Sequence, residues 1–172
     1  NNIAYHSGTK GQLGCISFNG NKIITTGGGG MIITDNSSLA KKAKYYTTQA
    51  KDDNLNYIHN EIGYNFRLTN IQSAMGVAQM ELLPKFLKRK KYIYNQYVKG
   101  INQIKGLRIA KVPNYASNNH WMTVMKINKN NYGKDRKKIM ELLKSNNIEA
   151  RPVWGLNHLQ KPYKKFQNFK ID

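Results

Sequence analysis

The chain has 172 residues, of which 28 are Lys or Arg and 9 are Asp or Glu, so its formal net charge is +19. A single Cys excludes a disulfide framework and a cysteine-based zinc site, and it indicates a reducing compartment. No apolar run approaches the ~20 residues of a membrane span, and residues 1–6 have neither the basic nor the apolar part of a signal peptide. We therefore expect a cytoplasmic protein that is long enough to bury a core and has no membrane partner.

The basic excess has two interpretations. Clustered cations beside aromatic side chains are typical of nucleic-acid-binding surfaces, and residues 88–92, Lys-Arg-Lys-Lys-Tyr, fit this pattern best. The other lysines are spread along the chain, mostly where we predict solvated helix faces. We favour an ordinary basic surface over a groove for a polyanion, and a nucleic-acid-binding module stays as the less favoured alternative.

Two short strands are predicted near the start of the chain. The apolar run at residues 13–18 ends at the turn pair Asn19-Gly20, which is typical of a buried strand. Residues 31–34 follow four consecutive glycines and are rich in side chains that favour strands.

A helix and a long loop are predicted next. Asp35 or Asn36 can cap a helix that continues to about Tyr46, because both side chains accept hydrogen bonds from the first backbone N–H groups. Residues 48–66 are polar and follow no period, so we predict a loop there. Loops of this length are usually functional or disordered.

The clearest helix signal begins at Thr69. Thr69 and Gln72 fit a capping box, in which two side chains satisfy each other's free backbone N–H groups. Pro84 cannot continue the hydrogen-bond ladder, so we predict a kink or the start of a second helix. A domain boundary is placed there, between residues 1–84 and 85–172. The apolar residues after Thr69 keep helical spacing and predict a buried stripe, namely Ile71, Ala74, Met75, Ala78 and Leu82.

Shorter elements are predicted in the second half. Residues 107–110 and 121–127 are typical of strands, and residues 136–143 of a helix. Residues 148–153 are a candidate for a third strand. This order of elements is typical of a small α+β domain, in which Trp121 would lie in the core.

The segment between the first two strands has the clearest chemical content. Lys22 lies on a predicted turn between Ser17 and the glycines 27–30. A lysine held against close-packed backbone loses hydration, which favours its neutral amine, and such an amine can form a Schiff base with an aldehyde cofactor or a carbonyl substrate. The glycines allow a ligand to approach the backbone, and the hydroxyls of Ser17 and Thr26 can bind phosphate oxygens. Spacing alone leaves open that Lys22 is an exposed turn residue.

Three blocks of this sequence resemble a known family. The first is Ser17-Phe-Asn-Gly-Asn-Lys22 with the threonines and glycines that follow, and the second contains Gly-Tyr-Asn65-Phe-Arg67. The third contains Arg151-Pro-Val-Trp. Together they are similar to the DegT/DnrJ/EryC1/StrS family of pyridoxal-phosphate-dependent nucleotide-sugar aminotransferases, particularly the branch that makes 4-amino sugars from UDP-linked 4-keto sugars.

The resemblance implies an α/β fold, part of a fold type I transferase. Residues 1–84 would be the C-terminal part of the large cofactor-binding domain, and residues 85–172 an incomplete small α+β domain. Lys22 would form a Schiff base with pyridoxal phosphate and act as the acid–base group, and Ser17 would bind the phosphate. Asn65 would reach the phosphate from the neighbouring subunit of a homodimer. Glutamate would donate the amino group to the nucleotide sugar, for bacterial surface glycans.

The resemblance also implies substrate contacts in the third block, by Arg151, Trp154 and His158. His158 is equally well explained as a surface residue. Ser17 can instead satisfy backbone at a strand end, and Asn65 can be a turn residue with left-handed geometry. The four histidines never show the spacing of metal ligands, so we expect no metal.

Other parts of the family pattern are not found in these residues. In the family, the aspartate that pairs with the pyridine nitrogen precedes the motif lysine, which is residue 22 here. The chain also ends at Ile171-Asp172, before the family's last strand and helix. We therefore expect a fragment without the N-terminal half and the extreme C-terminus, which binds the cofactor weakly on its own. The alternative is an inactive remnant that keeps a dimerisation surface.

Overall fold

The computed structural model describes residues 4–167. Predictions about residues 1–3 and about the chain end at Ile171-Asp172 lie outside the described residues. The chain divides into two compact units, and the division falls after Lys90. The assignment of residues 1–84 and 85–172 to a large and a small enzyme domain stays a prediction.

The first unit begins with a β-hairpin. Strand β1 (Gly14–Ser17) pairs antiparallel with β2 (Gly30–Ile33), so that Ser17 lies opposite Gly30. Both predicted strands are confirmed, but the burial expected of the first is wrong, because of its residues only Gly14 is buried and Ile16 is exposed. Gly14 is required by packing, since a Cβ there would lie 2.0 Å from the carbonyl oxygen of Gly8.

Helix α1 (Ser37–Thr47) follows, and its start confirms one of the two predicted caps. Asn36 Oδ1 accepts the backbone N–H groups of Ser38 at 2.9 Å and Leu39 at 3.1 Å. These bonds satisfy donors that a helix start leaves free. The segment from residue 48 to 69 contains turns and isolated bridges, in agreement with the predicted loop.

Helix α2 (Asn70–Ile101) is the longest element. The predicted capping box is confirmed, since Thr69 N–H donates to Gln72 Oε1 at 3.2 Å and Gln72 N–H donates to Thr69 Oγ1 at 3.3 Å. Pro84 lies inside this one helix, so of the two outcomes predicted there, the start of a second helix is wrong, and the kink stays a prediction. The predicted buried stripe is also wrong, because its members are exposed, Ile71 by 80%. Spacing identifies an apolar face, but burial needs a partner surface. No helix within residues 4–167 has the length and apolar character to cross a membrane.

The core of the second unit lies on a short antiparallel pair. Strand β3 (Leu107–Ile109) pairs with β4 (Met125–Ile127). Leu107 and Ile109 are buried while Arg108 between them is exposed, as expected for alternating faces of a strand. Ile139, in the helix that spans Arg136–Ser145, is buried as well.

The remaining elements of the second unit are helical. A short helix, α3 (Lys129–Tyr132), ends at Gly133 with φ of 81°, and α4 spans Arg136–Ser145. The predicted helix at residues 136–143 is therefore confirmed. Asp135 caps α4 through a hydrogen bond from the Lys138 N–H at 3.0 Å.

One strand prediction in this unit is confirmed in part and another is wrong. The strand predicted at residues 121–127 forms at Met125–Ile127 only, and residues 121–124 follow His120, which has a left-handed φ of 53° that interrupts the extended chain. Residues 148–153 form no strand, and Asn157–Leu159 beyond them form a 3₁₀ turn. A strand is stabilised by backbone bonds to a neighbour, and within the described residues the second unit's ladder joins β3 to β4.

Candidate active site

The connection between β1 and β2 carries Lys22. Its two ends are joined by backbone hydrogen bonds, from Phe18 N–H to Gly29 O at 3.1 Å and from Thr26 N–H to Phe18 O at 3.0 Å. The Lys22 N–H donates to Asn19 O at 3.0 Å, which closes a tight turn. Lys22 is half-buried. The backbone at Lys22 is therefore fixed by the fold of the connection itself.

Two threonines complete this connection. The Thr25 hydroxyl donates to Phe18 O at 3.0 Å and accepts the Gly27 N–H at 2.9 Å, while the Thr25 N–H donates to Gln79 Oε1 of α2 at 3.4 Å. Thr26 is buried, and its hydroxyl donates to the Gly28 carbonyl. A hydroxyl has one hydrogen to donate. Thr26 was suggested by the sequence for phosphate binding, but it donates its hydroxyl hydrogen to a carbonyl of the protein itself.

The glycines after Thr26 divide into two kinds. Gly29 has φ of 89°, and a Cβ there would lie 2.6 Å from Leu68 Cδ1, so its position requires glycine. At Gly27 and Gly28 an added Cβ would meet no heavy atom within 4 Å. The backbone at these two positions is therefore open to the approach of another molecule.

Ser17 lies at the end of β1 and is exposed. Its Oγ accepts the Asn19 N–H at 3.3 Å, which is the backbone role considered from sequence. A hydroxyl that accepts one bond can still donate its own hydrogen. Ser17 therefore keeps a donor that suits a phosphate oxygen, and it immediately precedes the connection that carries Lys22.

Asn65 lies on the segment that returns toward the end of α1. It forms an antiparallel bridge with Thr48, and Phe66 N–H donates to Thr47 O at 3.0 Å. The rings of Tyr64 and Phe66 stack at 5.1 Å. Because alternate residues of an extended chain face opposite sides, the Asn65 side chain points away from this ring pair. Asn65 is exposed and does not have positive φ, so the left-handed turn alternative is wrong.

The segment before Asn65 is ordered by a carboxylate. Asp52 Oδ2 accepts the Tyr45 hydroxyl at 2.9 Å and the Asn60 N–H at 2.7 Å. The Asn60 N–H holds the pKa of Asp52 below its usual value, and loss of hydration together with the bond to Asp52 raises the pKa of Tyr45 to about 12. His59 Nδ1 lies 2.8 Å from Gln49 O, so this nitrogen carries the hydrogen. His59 therefore has a backbone role.

The residues proposed for substrate contact all lie in the second unit. The Arg151 guanidinium pairs with Glu149 Oε1 at 2.7 Å, and both side chains are largely exposed. His158 is half-buried on the 3₁₀ turn. Trp154 stacks on Trp121 with ring centroids 5.9 Å apart. Trp121 is half-buried and outside the strand, so its prediction as a core residue is wrong.

Ser17 thus ends β1, Lys22 lies on the connection that follows it, and Asn65 lies on another segment of the same unit. The pairing of Trp121 with Trp154 was not predicted, because residues so far apart in the sequence give no spacing signal. Across the described part of the chain, His, Cys, Asp and Glu side chains form no group of three or more that could hold a metal ion.

Two solved structures share the fold of this chain. The chain is similar to DesI, solved in the presence of its TDP-sugar product, with a TM-score of 0.81 and 22% identity over 96% of this chain and 42% of that chain. It is also similar to PseC of Helicobacter pylori, an aminotransferase involved in the biosynthesis of pseudoaminic acid, with a TM-score of 0.75 and 23% identity over 96% of this chain and 45% of that chain. The fold is that of sugar aminotransferases over part of their length.

Residues 4–170 match the family model of the DegT/DnrJ/EryC1/StrS aminotransferases, and the chain belongs to this pyridoxal-phosphate-dependent family. It is 38% identical over 156 residues to EpsN of Bacillus subtilis (strain 168), which is named as a pyridoxal phosphate-dependent aminotransferase, covering 90% of this chain and 39% of EpsN. It is 34% identical over 165 residues to the GDP-perosamine synthase of Escherichia coli O157:H7, covering 95% of this chain and 44% of that protein. The chain thus spans about two fifths of the length of these relatives.

Proposed function

We propose that this chain is the lysine-bearing part of an aminotransferase that moves an amino group from glutamate to a nucleotide-linked 4-keto sugar, with UDP as the expected nucleotide and bacterial surface glycans as the destination. The observation that carries the proposal is Lys22, half-buried on a backbone-fixed connection within the first family-like block. Relatives named for pyridoxal phosphate and for a GDP-linked sugar support the cofactor and the substrate class.

The residues of the Lys22 connection fit pyridoxal phosphate. Lys22 supplies the primary amine that an aldehyde requires, Ser17 supplies a hydroxyl donor, and the open backbone at Gly27 and Gly28 leaves room for a ligand. The cofactor, when bound, supplies an electron sink for the bonds of the reacting carbon. Lys22 Nζ would hold the cofactor and then take and return the proton at the substrate carbon that carries nitrogen.

Other parts of the site would come from elsewhere. We propose that Asn65 contacts the cofactor phosphate of a neighbouring subunit in a homodimer, which its exposed position permits. Arg151, Trp154 and His158 would contact the nucleotide sugar. Arg151 has a planar guanidinium suited to phosphate oxygens, although it is bonded to Glu149 here.

The test is the first half of the reaction, with the chain in excess over pyridoxal phosphate and mixed with the unmatched part of a relative such as the E. coli O157:H7 GDP-perosamine synthase. We expect glutamate to yield pyridoxamine phosphate, measured by chromatography, and Lys22→Arg to abolish this product because a guanidinium does not form the bond. Lys10→Arg, a change at an exposed lysine of the same unit, serves as the control and should retain the product. Equal product from Lys22→Arg and the unaltered chain would contradict the proposal.

A second candidate is a remnant that keeps a dimerisation surface without activity, and the exposed apolar face of α2 favours it. A chain that forms dimers in sedimentation experiments but yields no pyridoxamine phosphate under any of these conditions would support the remnant. The third candidate, a basic nucleic-acid-binding module, predicts salt-dependent retention on single-stranded DNA that persists in Lys22→Ala.

A further inference from the structure

Trp121 and Trp154, the two tryptophans of the chain, stack on each other in the second unit. Their ring centroids are 5.9 Å apart and their planes differ by 22°. Trp154 is 67% exposed, although large aromatic side chains are usually well covered. Because stacking on Trp121 covers one face of the indole, much of the exposed area is the other face.

Short turns hold the backbone of Trp121. Asn119 Oδ1 accepts the Trp121 N–H at 3.1 Å, and Asn118 Oδ1 accepts the His120 N–H at 2.6 Å. Asparagine side chains commonly fix turns in this way. His120 between them has a left-handed φ of 53°, so the chain direction changes immediately before Trp121.

A second ring pair anchors this turn. The His120 ring stacks on Tyr94 of α2 at a centroid distance of 4.3 Å. The Tyr94 hydroxyl donates to Ala110 O at 3.0 Å, next to β3. The turn that precedes Trp121 is therefore tied to a helix and to a strand end of its own unit, and Trp154 stacks on the ring that follows this turn.

We propose that the Trp121–Trp154 pair is a stacking platform for the nucleobase of the sugar nucleotide. Trp154 would offer its exposed face to the base, and Trp121 would hold Trp154 from behind. The proposal rests on the proposed function, since that substrate brings the base. A flat ring accepts pyrimidines and purines alike, so the pair would bind the nucleotide without choosing between UDP and GDP. Arg151, three residues before Trp154, carries a cation that suits the diphosphate.

The two tryptophans make the test direct, because all tryptophan fluorescence of the chain comes from this pair. The full chain is titrated with UDP, with GDP and with base-free ribose 5-phosphate, and affinities are measured in parallel by equilibrium dialysis. We expect UDP and GDP to quench the fluorescence and ribose 5-phosphate to leave it unchanged. Trp154→Leu should weaken binding of both nucleotides about tenfold, and Trp154→Phe should restore most of it.

Tyr115→Leu is the matched control, since Tyr115 is a 92% exposed aromatic residue of the same unit and should not affect binding. Failure of UDP and GDP to bind, equal quenching by ribose 5-phosphate, or unchanged affinity in Trp154→Leu would overturn the platform. A pyridoxyl adduct at Lys22 after borohydride reduction is measured in the same samples. An adduct without base-dependent binding refutes the platform alone, whereas base-dependent binding without an adduct refutes the cofactor role of Lys22 and supports the platform.

Discussion

Lys22 obtains its position from backbone hydrogen bonds, and its neighbours are largely committed to the same framework. Thr25 and Thr26 use their hydroxyls on Phe18 and Gly28, which leaves Ser17 as the hydroxyl of this connection best suited to an external phosphate. The turn at Lys22 could be predicted because Asn-Gly and consecutive glycines are strong local signals. The hydrogen bond from the Thr26 hydroxyl to the Gly28 carbonyl could not be predicted, since it depends on how the connection folds back on itself.

At the residue scale, His120 should make stability depend on pH. Burial, with a smaller effect of Lys91, lowers the pKa of His120 below its ordinary value of about 6.5. The unfolded chain then binds the proton first as the pH falls, so this contribution to stability is present above about pH 6.5 and is lost as the pH falls toward the lower folded pKa. We expect the free energy of unfolding to decrease over that range, and His120→Phe to flatten its slope. An identical slope in urea titrations of the variant would contradict the assignment.

Among the helices and strands, the features that depend on neighbouring residues were predicted correctly, and those that depend on distant residues were not. Asn36 and the pair Thr69 and Gln72 cap their helices as predicted, because a cap involves a few neighbouring residues. Burial was predicted less well, since Ile71 keeps helical spacing but is exposed. The strand prediction at residues 148–153 failed for a related reason, because pairing depends on a distant segment.

At the element scale, the packing of the segment that carries Asn65 should require a glycine at position 63. A Cβ at Gly63 would lie 2.3 Å from Ala50 N and 2.4 Å from Gln49 C, and backbone atoms cannot move aside as side chains do. We expect Gly63→Ala to lower the free energy of unfolding by about 1–3 kcal/mol, the usual cost of overpacking, measured by urea denaturation.

Gly100→Ala is the matched control for that change. Gly100 lies in α2, and an added Cβ there would meet no heavy atom within 4 Å. Gly100 is the residue before the last one of α2, so we expect Gly100→Ala to change the free energy of unfolding by no more than about 0.5 kcal/mol. Equal effects of the two substitutions would contradict the packing assigned to Gly63.

At the scale of the whole molecule, apolar surface is poorly covered. Four hydrophobic residues are buried in the part of the chain that the structure describes, namely Ala50, Leu107, Ile109 and Ile139. The chain spans about two fifths of its curated relatives. We propose that the apolar face of α2 is covered by the part of the family fold that these residues do not supply. A sequence pattern predicts such a face correctly but contains no information about its missing partner.

If the α2 face is covered in this way, substitutions on it should leave the stability of the chain unchanged but prevent its assembly with the rest of the fold. Ile71→Glu and Met75→Glu change exposed positions, so we expect the stability of the chain to change by no more than about 0.5 kcal/mol. The same changes should abolish glutamate-dependent amination of a nucleotide keto sugar when the chain is mixed with the unmatched part of a relative such as the E. coli O157:H7 GDP-perosamine synthase. Without that addition, we expect little activity from the unaltered chain.

Val77→Glu is the control for the mixing experiment, because Val77 is an exposed apolar residue on the opposite side of the same helix. It should retain the activity gained on mixing. Loss of that activity in all three variants, or strong activity of the chain by itself, would contradict the role given to the α2 face.

The most direct measurement is borohydride reduction of the chain with pyridoxal phosphate, followed by peptide mapping. Reduction makes the bond between a lysine amine and the cofactor permanent, so the labelled peptide identifies the lysine. We predict one dominant pyridoxyl adduct at Lys22, with far less at the other lysines. Labelling spread evenly over the lysines, or none at all, would contradict the central role of Lys22.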